Sequence, residues 1–151
     1  MKIKIIRKID FVLNKILYLQ KKMNRNNDIK EDYVSFETAK LLKRNGFGVK
    51  SLAVYNSEGD FIDKLYRFDG QLLKNCILAP TQQMALKWIR ENFKIYIDIT
   101  SAFDSKGINV IFKYMSFNDE MDIVAKSDYQ FPTYEEAVEN SIIHTLMNLN
   151  I

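Results

Sequence analysis

The sequence predicts an α+β domain: a two-layer sandwich with helices on one face of a mostly antiparallel sheet. Two observations predict it. Amphipathic segments begin after Ser35, Thr81 and Thr133, each with a hydroxyl cap and an alanine four residues on. Between them lie alternating or apolar runs separated by turn residues. The element order is α-ββ-α-ββ-α over residues 33–151, two helix-hairpin units and a closing helix, with an additional amphipathic helix at the N-terminus.

That N-terminal arm, residues 1–23, places Ile5, Ile9, Val12, Ile16, Leu19 and Met23 on a heptad-like seam. Lys8, Lys15 and Lys22 recur every seven residues on a flank. The arm carries seven Lys and Arg against Asp10 alone, so in a chain of net charge +3 the remainder is negative. Such a helix packs on the body or a second copy, lies along an anionic membrane surface or a nucleic acid, or is an upstream extension with Met23 as the true start. Asp10, Asn14, Lys15 and Gln20 interrupt any secretory core. Residues 24–32 read as a polar linker.

In the first unit, Ser35 caps a helix that buries Phe36, Ala39 and Leu42 or Leu41 and stops at Asn45-Gly46. Val49–Tyr55 and Phe61–Phe68 are its strands, joined by Asn56-Ser57-Glu58-Gly59-Asp60 with Gly59 at the positive-φ position. In the second unit, Cys76–Ala79 is a short apolar run and Thr81 caps a helix whose core face holds Met84, Ala85, Trp88 and Ile89. Gln83, Lys87 and Arg90 line the opposite stripe. Lys94–Thr100 alternates, isoleucines inward and Tyr96, Asp98 and Thr100 outward. Ile108–Phe117 is apolar on both faces, which suits a central strand. Asn118–Asp122 is an acidic loop without the central glycine of a calcium loop. Thr133 and Glu136 have capping-box spacing, and Tyr134, Ala137, Val138, Ser141, Ile142, Thr145, Leu146 and Leu149 form the last buried stripe.

Chemistry is sparse. No glycine-rich phosphate loop, Rossmann fingerprint, HExxH or GxSxG occurs. Cys76 is the single cysteine, expected buried, and leaves no internal disulfide or cysteine-based zinc site. His144, the single histidine, is expected on the solvent side of the last helix. No catalytic residue, metal site or cofactor is assigned, and no run is long and apolar enough to span a membrane. Residues 81–148, with Ser127–Phe131 as a short third strand, have the element order of a double-stranded-RNA-binding domain, a topological similarity only. That family starts its last helix with lysines, whereas Glu135, Glu136 and Glu139 stand here.

The segments Tyr33–Lys43, Ala79–Glu91 (with Pro80-Thr81-Gln82-Gln83-Met84 the most specific), Tyr96-Ile97-Asp98 and Thr133–Ala137 resemble a family of small uncharacterised proteins. The family is common in Bacteroides-type bacteria and their phages, and the resemblance covers residues 33–149. It implies a gut-bacterial or phage setting and carries no catalytic residues, and family members begin near Tyr33. The expected function is a small non-enzymatic interaction or accessory protein of the bacterial cytoplasm. Protein partners or self-association would use Gln83, Lys87, Arg90, Tyr96, Asp98 and Thr100. The alternatives are nucleic-acid binding through Lys8, Lys15 and Lys22, and an enzyme with a carboxylate site near Asp98.

Overall fold

A computed structural model of the chain describes residues 31–63, 75–107 and 109–149. The N-terminal arm with Lys8, Lys15 and Lys22, most of the linker, and the far half of the Phe61–Phe68 strand lie outside them. The chain separates into Met1–Glu31 and a compact unit, Asp32–Ile151, to which everything below refers.

Helix α1 (Phe36–Arg44) starts where expected, with the Ser35 side chain accepting from the Thr38 N–H. It ends in a Schellman motif: Gly46 has φ 91°, its N–H donates to Lys43 O, and the Phe47 N–H reaches back to Leu42 O. Helix α2 (Gln82–Phe93) is capped by Thr81 and α3 (Tyr134–Met147) by Thr133, each hydroxyl accepting from the N–H three residues on.

The α+β class is as the sequence predicts, and every strand pairing is antiparallel. The strands form two sheets rather than one, and each expected hairpin gains a third strand. Strands β1 (Ala53–Tyr55), β2 (Phe61–Asp63) and β3 (Ile77–Ala79) pair in the order β2-β1-β3. Strands β4 (Tyr96–Phe103), β5 (Val110–Phe117) and β6 (Ile123–Lys126) pair in the order β4-β5-β6, with β5 central as expected. The central strand comes first in one sheet and second in the other, so the two units differ in topology despite their matching caps. Strand β1 is shorter than the expected Val49–Tyr55. Just before it, the Ser51 hydroxyl donates to Ala79 O and accepts from the Ala53 N–H, replacing a rung of backbone ladder.

Trp88 is only 7% exposed, held edge-on between Phe47 and Phe93 at ring distances of 5.3 and 5.2 Å. Val34, Leu42, Ile89 and Ile142 complete a dry centre. Five core expectations need correction. Phe36, Cys76, Met84 and Leu149 are half-buried, and Tyr134 is exposed in the first turn of α3, with one side of its ring edge-on to Phe112 at 6.1 Å.

The helices are joined at their starts. Residues 32–34 run antiparallel to residues 80–82: the Val34 N–H donates to Pro80 O at 3.0 Å and the Gln82 N–H to Asp32 O at 2.7 Å. This sets the N-termini of α1 and α2 side by side, and Glu139 of α3 reaches into the junction. Its carboxylate accepts from the Ser35 N–H (2.9 Å), the Thr38 hydroxyl (2.5 Å) and the Gln82 side-chain amide (3.3 Å). The same amide also donates to Glu135 O at 3.1 Å. A carboxylate at the positive end of α1 gains from the helix dipole as well as from its donors.

Thr38 is fully buried, so removing Glu139 takes the acceptor from its O–H and leaves its hydroxyl only the bond from Ser35 at 3.1 Å. Glu139→Ala should lower unfolding free energy by about 2–3 kcal/mol, read as an earlier urea midpoint at unchanged slope. Tyr55 gives a pH test. Its hydroxyl donates to Val34 O at 2.7 Å, and burial, with the Glu139 charge adding, raises its pKa above the ordinary 10.0. The folded state therefore holds a proton that the unfolded state gives up, so this stabilisation is complete below pH 10 and lost as pH rises through the folded value. Stability curves of Tyr55→Phe and wild type measured across that range should converge on the alkaline side.

Candidate binding site

Three elements converge on an open groove of about 460 Å³. Helix α2 contributes Gln83, Leu86, Lys87 and Arg90, strand β4 contributes Tyr96 and Ile97, and α3 contributes Tyr134. The helical residues fall at i, i+3, i+4 and i+7, one continuous stripe, because the opposite side of α2 is committed to the core through Ala85, Trp88 and Ile89. Ile97 turns toward the core and Tyr96 outward, as alternation along β4 requires. Tyr96 is steadied by Phe117, its cross-strand partner, the rings stacked at 6.0 Å with 21° between planes.

Leu86 and Ile97 make the floor apolar, while Gln83, the two phenols and the two cations supply polar edges. Lys87 is tethered loosely to Glu91 at 3.7 Å, both side chains well exposed, a contact worth about 0–1 kcal/mol. Arg90 has no ion-pair partner among the described residues. None of the seven lining residues is acidic. The volume lies in the range of pockets that hold a few side chains of a partner or a small ligand.

Of the six body residues singled out in the sequence, the groove brings together Gln83, Lys87, Arg90 and Tyr96. Asp98 and Thr100 are elsewhere, exposed farther along β4 on the outer face of its sheet. They share that face with Lys113 and Met115 of the paired strand. Leu86, Ile97 and Tyr134 are the lining residues that sequence reasoning missed. Ile97 and Tyr134 occupy positions read as core, and only the meeting of α3 and β4 with α2 brings the three to one groove. His144 is exposed as expected, and its Nδ1 is hydrogen-bonded to the Tyr114 hydroxyl at 2.8 Å. Among the described residues no cluster of three or more acidic, His or Cys side chains could hold a metal ion, and no helix is long and apolar enough to cross a membrane.

Comparison with protein-family models, curated proteins and solved structures finds no match to this chain.

The two sides of α2 should separate cleanly on substitution. Lys87→Ala and Arg90→Ala should change unfolding free energy by less than about 0.5 kcal/mol. Trp88→Ala should lower it by about 3–5 kcal/mol. Urea titrations of the three variants make the comparison.

Proposed function

We propose that this protein acts by binding, as a non-enzymatic interaction or accessory protein, and that the α2–β4–α3 groove receives an acidic, partly apolar segment of a protein partner. The observation that carries this reading is the groove lining: an apolar floor, two tyrosines and two cations without a carboxylate. Tyrosine and arginine are the side chains that concentrate binding energy at protein interfaces, because they offer large area, stacking and directed hydrogen bonds together. The bacterial cytoplasm, and the phage-related setting implied by Pro80-Thr81-Gln82-Gln83-Met84, belong to the same proposal. A polyphosphate backbone suits the groove less well. Glu135 and Glu136 follow Tyr134 on the exposed start of α3, where a long anion would meet them.

Titration with short peptides in which Asp and Glu alternate with Leu, Met or Phe, followed by amide chemical shifts, tests the reading. Shifts should cluster on α2, Tyr96 and Tyr134, and affinity should fall with added salt. Joint charge reversal, K87E with R90E, should weaken binding by about tenfold or more, equivalent to about 1.4 kcal/mol. Shifts that map elsewhere, or that survive the reversal, refute it.

A further inference from the structure

The two hairpin turns Asn56-Ser57-Glu58-Gly59-Asp60 and Asn118-Asp119-Glu120-Met121-Asp122 are the same device. In each, the asparagine side-chain oxygen accepts from the N–H groups two and four residues on, at 2.9 and 2.8 Å in the first turn and 3.0 and 2.8 Å in the second. In each, the asparagine N–H donates to the carbonyl of the closing aspartate, at 3.1 and 3.0 Å. In each, the fourth residue is left-handed: Gly59 at φ 92°, Met121 at φ 69°.

They differ in what that residue is. Glycine is required at 59, since a Cβ there would come within 3.1 Å of the Phe36 ring as well as opposing the backbone. At 121 the residue is methionine, which disfavours the left-handed conformation, and its side chain is 70% exposed. Within one copy the left-handed conformation lets the Met121 N–H donate to Asn118 O at 3.1 Å, but the side chain is left largely in solvent. Asp119, Glu120 and Asp122 are also exposed, so a rigid turn presents one apolar tip ringed by three carboxylates.

We propose that this turn of a second copy is an occupant of the α2–β4–α3 groove, so that the chain self-associates by exchanging turn for groove. The inference rests on the binding reading of that groove. Met121 would lie on Leu86 and Ile97 between Tyr96 and Tyr134, where a thioether packs well against aromatic rings, and the carboxylates would meet Lys87 and Arg90. The turn is held by its own hydrogen bonds, so little ordering opposes docking. Groove and turn also lie at one end of the same sheet: Tyr96 of the groove pairs with Phe117, and Asn118 follows directly. Each copy then offers both halves of the contact on one neighbouring surface, the arrangement that closes as a two-fold pair.

Sedimentation velocity on the full chain across a wide concentration range tests this. Wild type should pass from monomer to dimer, and added salt should weaken the dimer. K87E/R90E and D119K/E120K should each be monomeric. Mixed one to one, they should form a heterodimer, since both contacts then join opposite charges again. M121G should weaken association by about tenfold while leaving the urea midpoint equal or higher. Wild type remaining monomeric, a dimer indifferent to both reversals, or a mixture that stays monomeric overturns the inference. A monomeric wild type that still binds acidic peptides in the groove overturns self-association and leaves the groove reading standing.

Discussion

The Glu139 carboxylate is the constraint on which the rest of the arrangement depends. Two helices begin next to each other because residues 32–34 pair with residues 80–82, and that places two positive helix ends in proximity. An acceptor carrying negative charge relieves this, and α3 supplies it while also taking up the Gln82 amide. The groove is a by-product of the same geometry. With the start of α3 drawn to the start of α2, Tyr134 is carried to the edge of β4, opposite the polar stripe of α2.

Much of the fold was legible because its signals are local. A hydroxyl cap, an Asn-Gly stop, alternation in Lys94–Thr100 and the two-sided apolar run of β5 each report their own residues' conformation. The third strands were missed or misplaced for the opposite reason: Ser127–Phe131 reads as one, yet β6 is Ile123–Lys126 and Phe131 makes only an isolated bridge to Phe112. Ile77–Ala79 is three residues long and becomes a strand only because β1 lies beside it. Ile123–Lys126 likewise takes its identity from pairing with β5 across a register shift at Ser116 and Phe117. Glu139 looked like one more solvated acid at the start of a helix. Its role depends on Ser35 and Thr38, more than a hundred residues earlier.

The candidate site divides in the same way. Helical spacing is enough to gather Gln83, Lys87 and Arg90, and alternation is enough to turn Tyr96 outward. Nothing in Asp98 or Thr100 distinguishes them locally from Tyr96, and they are separated from the groove by distance along β4 alone. The likeness of the two Asn-x-Glu-x-Asp turns was present in the sequence, but its meaning comes from matching hydrogen bonds and matching left-handed residues. Set beside Gly59, Met121 is a residue in a conformation that methionine disfavours, with a side chain left largely in solvent within one copy.

The long reach of Glu139 also bears on the order of events during synthesis. Its contacts with Ser35 and Thr38 span 104 and 101 residues. Helices α1 and α2 and both sheets are synthesised before the group that unites the two helix starts. Closing such long loops early is entropically unfavourable, and domains dominated by distant contacts fold slowly. The nascent chain therefore waits, with a cap half satisfied and its core open on the side α3 will cover, until α3 emerges. Completion of this fold depends on α3.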